Sequence, residues 1–199
     1  MATDKRQALL QSTVQAVAKH GMKDVSTRSI SGAAGINDAY IYRYFKDKED
    51  MLVQAYLMEN EKFMRHVLRH LEKIQLQMDV MPFEDRFRYV LHIAWRYLLD
   101  TPDVCRFFMY YYHSPSFEKY AQEAYRAQMD LLAGKLTHLF NSLEDARHCL
   151  YTLYVLLISF AIQAATNEVP DNAETEERAI RTVYNAIRAE MKTDAARAG

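Results

Sequence analysis

The 199-residue chain is poor in helix-breaking residues, with only 5 glycines and 4 prolines. Tight turns between strands need more of both, and no β-branched run alternates with polar residues, so nearly the whole chain reads as helix. Its two cysteines, Cys105 and Cys149, lie in apolar helical stretches without metal-ligand spacing. That excludes a disulfide framework and predicts reduced core thiols of a cytoplasmic protein. A glycine-rich phosphate loop, a nucleophile elbow and a paired-carboxylate motif are all missing, so no enzyme chemistry and no cofactor are expected. His66 and His70 are spaced i, i+4 but lack a third ligand and are flanked by Arg65 and Arg69, which predicts solvated surface histidines and no metal. Residues 1–20 are charged and amphipathic, unlike a signal peptide.

Charge of one sign is also scarce, since the net charge is −1 and the pI about 6.7, which argues against a general polyanion binder. The distribution is uneven. Residues 1–48 hold eight Lys/Arg against four Asp/Glu, a local +4 that leaves −5 for the remainder. Basic charge is concentrated at the N-terminal end, where a few placed contacts, rather than bulk attraction, would hold a nucleic acid.

The segment STRSISGAAGINDAYIYRYFKDK, from Ser26 to Lys48, has the layout of helix, glycine turn and second helix. Ser26 is a candidate N-cap for a short helix whose inward residues would be Ile30, Ala33 and Ala34. Gly35 would end that helix in a left-handed conformation. Ile36 then re-enters the core, and Asn37 offers a second cap for a helix from Asp38 to about Phe45, with Ile41 and Phe45 inward at i, i+4. The opposite face carries Asn37, Asp38, Tyr40, Tyr42, Arg43 and Tyr44. Hydroxyls, a guanidinium and an amide on a short helix after a tight turn are what reading a DNA major groove requires.

These residues resemble the N-terminal domain of the TetR (tetracycline-repressor-like) transcriptional regulators over about a quarter of the chain. The resemblance rests on Leu10, Lys19–His20–Gly21, Ser26, Arg28, Ile30, Ala34–Gly35, Tyr42–Arg43–Tyr44–Phe45, Asp47–Lys48–Glu49 and Leu52, in order. It implies that Thr27, Arg28, Tyr42, Tyr44 and Lys48 hold phosphates, contacts that set register without reading sequence. It places Asn37, Asp38, Ala39, Tyr40 and Arg43 nearest base edges, with Arg43 suited to guanine and Asn37 to adenine. Two positions depart from the family's usual pattern: Asp38, where a basic or small residue is common, and Ala39, where glycine is. A carboxylate beside phosphates is repelled unless it accepts from a cytosine amino group, so Asp38 points to an unusual operator preference.

The resemblance implies an all-α chain: a three-helix DNA-binding domain at 1–47 and a helical ligand-binding and dimerisation domain at 48–199, about nine helices in all. Helix 1 is expected over about Asp4 to His20 with Leu10, Val14 and Val17 inward, and a long helix from the Asp47–Lys48 step to about Ile74. Pro82, Pro102, Pro115 and Pro170 break the rest into helices at roughly 83–100, 103–113, 116–140, 144–167 and 174–192, with Thr193–Gly199 a frayed tail. Between Cys149 and Asn167, 19 residues carry no formal charge, close to membrane-spanning length. Thr152, Ser159, Gln163 and Thr166 nevertheless recur on one helix face, which predicts a buried interface helix. In similar proteins the last two long helices pair with their copies in a homodimer, which places two reading helices about one DNA turn or somewhat more apart.

Helices 83–140 are rich in aromatic and sulfur side chains, and consecutive tyrosines at 110–112 must point in different directions. With Phe63 on the preceding helix, Tyr89, His92, Trp95, Phe108, Tyr111, Tyr112, Tyr125 and Met129 are the candidate lining of a site for a mostly apolar or aromatic small molecule, plain packing being the alternative for each. The function implied is a ligand-responsive regulator, a repressor, that binds an inverted-repeat operator in double-stranded DNA. A helical small-molecule-binding protein or an interaction adaptor without operator binding is the competing reading.

Overall fold

The computed structural model describes residues 2–75 and 81–192, without the side chains of residues 2–4, 72, 74 and 75; the expected tail Thr193–Gly199 lies outside the described residues. The protein is all-α. Its helices are α1 (Ala2–His20), α2 (Thr27–Ala33), α3 (Ile41–Tyr44), α4 (Lys48–Gln75), α5 (Phe83–Asp100), α6 (Pro102–Tyr112), α7 (Gln122–Leu136), α8 (Leu143–Ala165) and α9 (Ala173–Arg188). Side-chain caps start three of them: Ser26 accepts from the Ser29 N–H at α2, Ser142 from Asp145 at α8, and Asn172 from Thr175 at α9.

The expected helix over 116–140 is three elements rather than one. Residues 117–121 form a wide π turn ahead of α7, and Thr137–Leu139 a tight 3-10 turn after it. The Ser114 hydroxyl donates to the Tyr111 carbonyl at 2.6 Å and accepts from the Phe117 N–H at 3.1 Å, so a side chain supplies local bonds that a regular helix would draw from backbone.

By packing, the chain divides into two units at Lys62/Phe63, Asp100/Thr101 and Gln122/Glu123. In the first, α1 lies against α6 and α2, and its Leu9, Leu10, Val14 and Val17 are buried. The Tyr56 ring sits 5.2 Å from Tyr111, 5.4 Å from Phe117 and 5.9 Å from Phe108, and Phe107 stacks on Tyr111 at 5.6 Å. Successive tyrosines diverge as helical geometry demands: Tyr110 is exposed, Tyr111 fully buried and Tyr112 half-buried. In the second unit, Leu91 of α5, Ala133 of α7, Cys149 of α8, and Ile180, Val183 and Ile187 of α9 share one apolar core with Phe140 and Met191.

A row of polar contacts at i, i+4 and i+8 borders that core. Arg88 meets Glu177 at 2.8 Å, His92 meets Glu176, and Arg96 meets Asp171 at 3.0 Å. Arg88 also bonds Glu84 at 2.8 Å and, first among several causes, holds that carboxyl below its usual range. Such part-exposed pairs orient α9 on α5 and add little stability. Helix α8 is long and apolar enough to cross a membrane by length and composition, with a third of its most apolar window buried within the chain.

Both cysteines are free and buried, and burial pushes the Cys105 thiol up to about 12 and Cys149 to about 11. Because the thiolate is the reactive form, native protein at pH 8 will leave Cys105 unlabelled by a thiol-disulfide reagent on the timescale that labels it in denaturant. Truncating Phe107, fully buried, to alanine will lower unfolding stability by about 3–5 kcal/mol in a urea titration.

Candidate DNA-reading site

The first motif helix is fixed by a capping box in which the Ser26 hydroxyl accepts from the Ser29 N–H and the Ser29 hydroxyl accepts from the Ser26 N–H. Ile30 is fully buried, but Ala33, expected to face inward, is exposed, and Ser31 takes the second buried place. Its hydroxyl donates to the Arg28 carbonyl at 3.1 Å, which satisfies the polar atom as the side chain goes in. Gly35 ends the element at φ +64°, a left-handed conformation that glycine adopts without strain, and the Ile36 N–H closes the turn on the Ser31 carbonyl at 2.9 Å.

The second element is shorter than a helix from Asp38 to Phe45. Asp38–Tyr40 is a 3-10 turn and only Ile41–Tyr44 is α-helical, with the Phe45 backbone extended. Ile41 and Phe45 are buried as expected. On the other side Tyr42 is 66 % exposed and Arg43 is exposed beside it.

The ten DNA-facing candidates fall into three groups. Ala39, Tyr40, Tyr42 and Arg43 are exposed, while Thr27 and Tyr44 are half-buried, with the Tyr44 ring edge-on to Phe45 at 6.4 Å. Asn37, Arg28 and Asp38 already have partners in the chain: the Asn37 carbonyl oxygen caps the turn by accepting from the Ala39 N–H at 2.9 Å, and Arg28 and Asp38 form an ion pair at 3.9 Å. Lys48 stands alone in the third group. Its ammonium donates to the Val25 carbonyl at 2.9 Å, so here it ties the start of α4 to the residue preceding Ser26.

Carboxylates hold the Asp47–Lys48 step at which the sequence places the start of α4. Asp47 accepts from the Asp50 N–H at 2.8 Å, and Asp50 accepts from the Lys46 N–H at 2.9 Å and from Gln54 at 2.7 Å. Partial burial opposes ionisation of Asp50, but these bonds and the Lys46 charge outweigh it and hold the carboxyl below its usual range. Lys5 lies over the Tyr40 ring at 4.5 Å, and Arg6 bonds Gln54 and lies over Phe45 at 5.6 Å. Lys5 and Arg6 carried no sequence signal, because they join α1 to the reading turn and to α4 across tens of residues.

The nine candidate ligand residues are divided between the units. Phe108, Tyr111 and Tyr112 are in the aromatic cluster of the first. In the second, Phe63, Trp95 and Tyr125 are buried and Met129 half-buried, with Phe63 5.4 Å from Tyr97 and Tyr125 5.5 Å from Tyr154. Tyr89 and His92, expected to line a cavity, are instead exposed, because the α5 face they occupy carries the polar row to α9. His66 and His70 are half-buried rather than solvated: their rings lie 4.8 Å apart, and His66 is 5.1 Å from Tyr97. Burial, then the neighbouring His70, lowers the proton affinity of His66. No group of three or more metal-ligating side chains is found among the described residues.

Residues 9–55 match the model of the family described as bacterial regulatory proteins, tetR family. The helix-turn-helix segment of this chain is similar to the tetR family over those residues. A transcriptional regulator BetI from Serratia proteamaculans is 33% identical over 78 residues, which are 39% of this chain and 35% of BetI, so the match spans about a third of that relative. An HTH-type transcriptional regulator from Haemophilus influenzae is 23% identical over 168 residues, 83% of each chain. In fold, the chain is similar to a TetR family regulator from Marinobacter aquaeolei, with a TM-score of 0.68 and 21% identity over 92% of this chain and 95% of that one. A second likeness is to a TetR-family regulator from Haemophilus influenzae, with a TM-score of 0.64 and 23% identity over 96% and 98%. The family and these relatives are regulators of transcription rather than enzymes.

Two substitutions separate reading from support in this segment. Arg43→Ala will relax preference at one base pair, costing about 1–3 kcal/mol there, whereas Lys48→Ala will weaken all duplexes similarly. Fluorescence-anisotropy titrations over salt and duplex variants measure both. Because Lys48 bonds Val25, its variant will also unfold at a lower temperature.

Proposed function

We propose that the chain is a ligand-responsive regulator of transcription that reads DNA through residues 1–47 and senses a small molecule and dimerises through residues 48–199. The observation that carries the reading is the contrast within one turn of chain: Ile41 is fully buried while Tyr42 is 66 % exposed, next to an exposed Arg43. An exposed phenol and an exposed guanidinium side by side on one short element suit a phosphate-lined groove. The action is repression in the cytoplasm, by a dimer covering an inverted-repeat operator.

Dimerisation is supported by α8, where Leu150, Leu153, Val155, Leu156 and Ile162 remain only half-buried and Tyr151 is exposed. A second copy of α8 and α9 covers that apolar surface in a four-helix bundle. The effector is an apolar or aromatic small molecule held among the buried aromatics, and α4, which runs without a break from Lys48 to Gln75, carries its effect to the reading turns. An effector that binds free and DNA-bound protein unequally, by about 1–3 kcal/mol, changes operator affinity about 5- to 150-fold, and DNA changes its affinity equally.

Selection of bound duplexes from a random pool will enrich an inverted repeat, and sedimentation at micromolar concentration will give a dimer. A monomer, or a pool that stays random through repeated rounds, overturns this function.

A further inference from the structure

The Arg28–Asp38 pair is the feature of the reading face that the proposed function leaves unexplained. Arg28 belongs to the first turn of α2 and Asp38 opens the 3-10 turn before α3. Their side chains approach at 3.9 Å, Nε to Oδ2, and are 90% and 48% exposed. Asp38 has no capping duty, because Asn37 performs it. An ion pair this exposed contributes little stability. A lone carboxylate here would repel phosphates, and Arg28 cancels that charge.

We propose that Arg28 and Asp38 together read one C·G base pair in each half-site, an inference that rests on the DNA-reading function above. In the major groove a C·G pair displays the cytosine amino donor beside the guanine O6 and N7 acceptors. The ion pair displays the complement: carboxylate oxygens beside guanidinium N–H groups. Asp38 accepts from cytosine N4 while Arg28 donates to guanine, and each keeps the other's charge compensated as water leaves the interface. At 3.9 Å the two groups are close enough to share one base pair, yet not locked in the short bidentate contact that would consume both sets of atoms. Arg28 then serves base reading, beyond the phosphate role the family resemblance implies.

The test is selection from a random duplex pool with the full-length protein and its Asp38→Asn variant, followed by titration of the selected duplexes. The natural chain is expected to enrich C·G at one symmetric position. Asp38→Asn is expected to lose about 5- to 150-fold on that duplex and to shift the same position towards A·T, since an amide suits adenine, with other positions unchanged. Adding Asp38→Asn to Arg28→Ala should cost less than it does alone, because the two act as a unit. Unchanged thermal unfolding of these surface variants confirms that the fold is kept. The pairing is overturned if Asp38→Asn selects the same sequence as the natural chain, or tightens every duplex by one common factor, as removal of simple repulsion would. If the natural chain enriches no duplex, the DNA-reading function falls together with it.

Discussion

A helix of four residues cannot hold itself in water, and everything about the reading face follows from how Ile41–Tyr44 is held from behind. Its apolar side is fixed by burial of Ile41 and Phe45. Its exit is fixed by carboxylates: Asp47 caps the first turn of α4, and Asp50 reaches back to the Lys46 N–H. Lys48 then ties the same turn to Val25, at the entrance to α2. Entry and exit of the motif are thus fastened to one helix start, so Tyr42 and Arg43 project from a short element whose orientation is set elsewhere.

The aromatic residues carry the second organising constraint. Tyr56, Phe107, Phe108, Tyr111 and Phe117 form one buried cluster that includes α6 in the same packing unit as the reading motif, although α6 lies more than fifty residues further along the chain. Helix α4 continues through the division at Lys62/Phe63, with Tyr56 in the first unit and Phe63 in the second.

Electrostatics refines this picture. The excess positive charge of the N-terminal segment is modest, and the structure uses much of it internally: Lys48 on a carbonyl, Arg6 beside Gln54 and Phe45, Lys5 over Tyr40, Arg28 beside Asp38. Cations committed to placing other groups favour recognition by fit over attraction by bulk charge.

Helix content, the positions of α1, α4, α5, α8 and α9, the Gly35 turn and the inward Ile41 and Phe45 were legible in the sequence, because each depends on residues within one or two turns of one another. Capping serines, the positive-φ glycine and apolar spacing act locally, and local rules can be read along a chain. The exposure of Ala33 in place of Ser31, the split of 116–140 into a π turn and two helical pieces, the outward Tyr89 and His92, and the commitment of Lys48 to Val25 were decided only by the tertiary structure. Lys48 and His92 depend on what a distant segment presents, a carbonyl or a carboxylate on α9, whereas Ser31 and Ser114 use hydroxyls that bond backbone three residues away, a choice that apolar periodicity does not register. Periodicity says which side of a helix is apolar; only packing says what meets the other side.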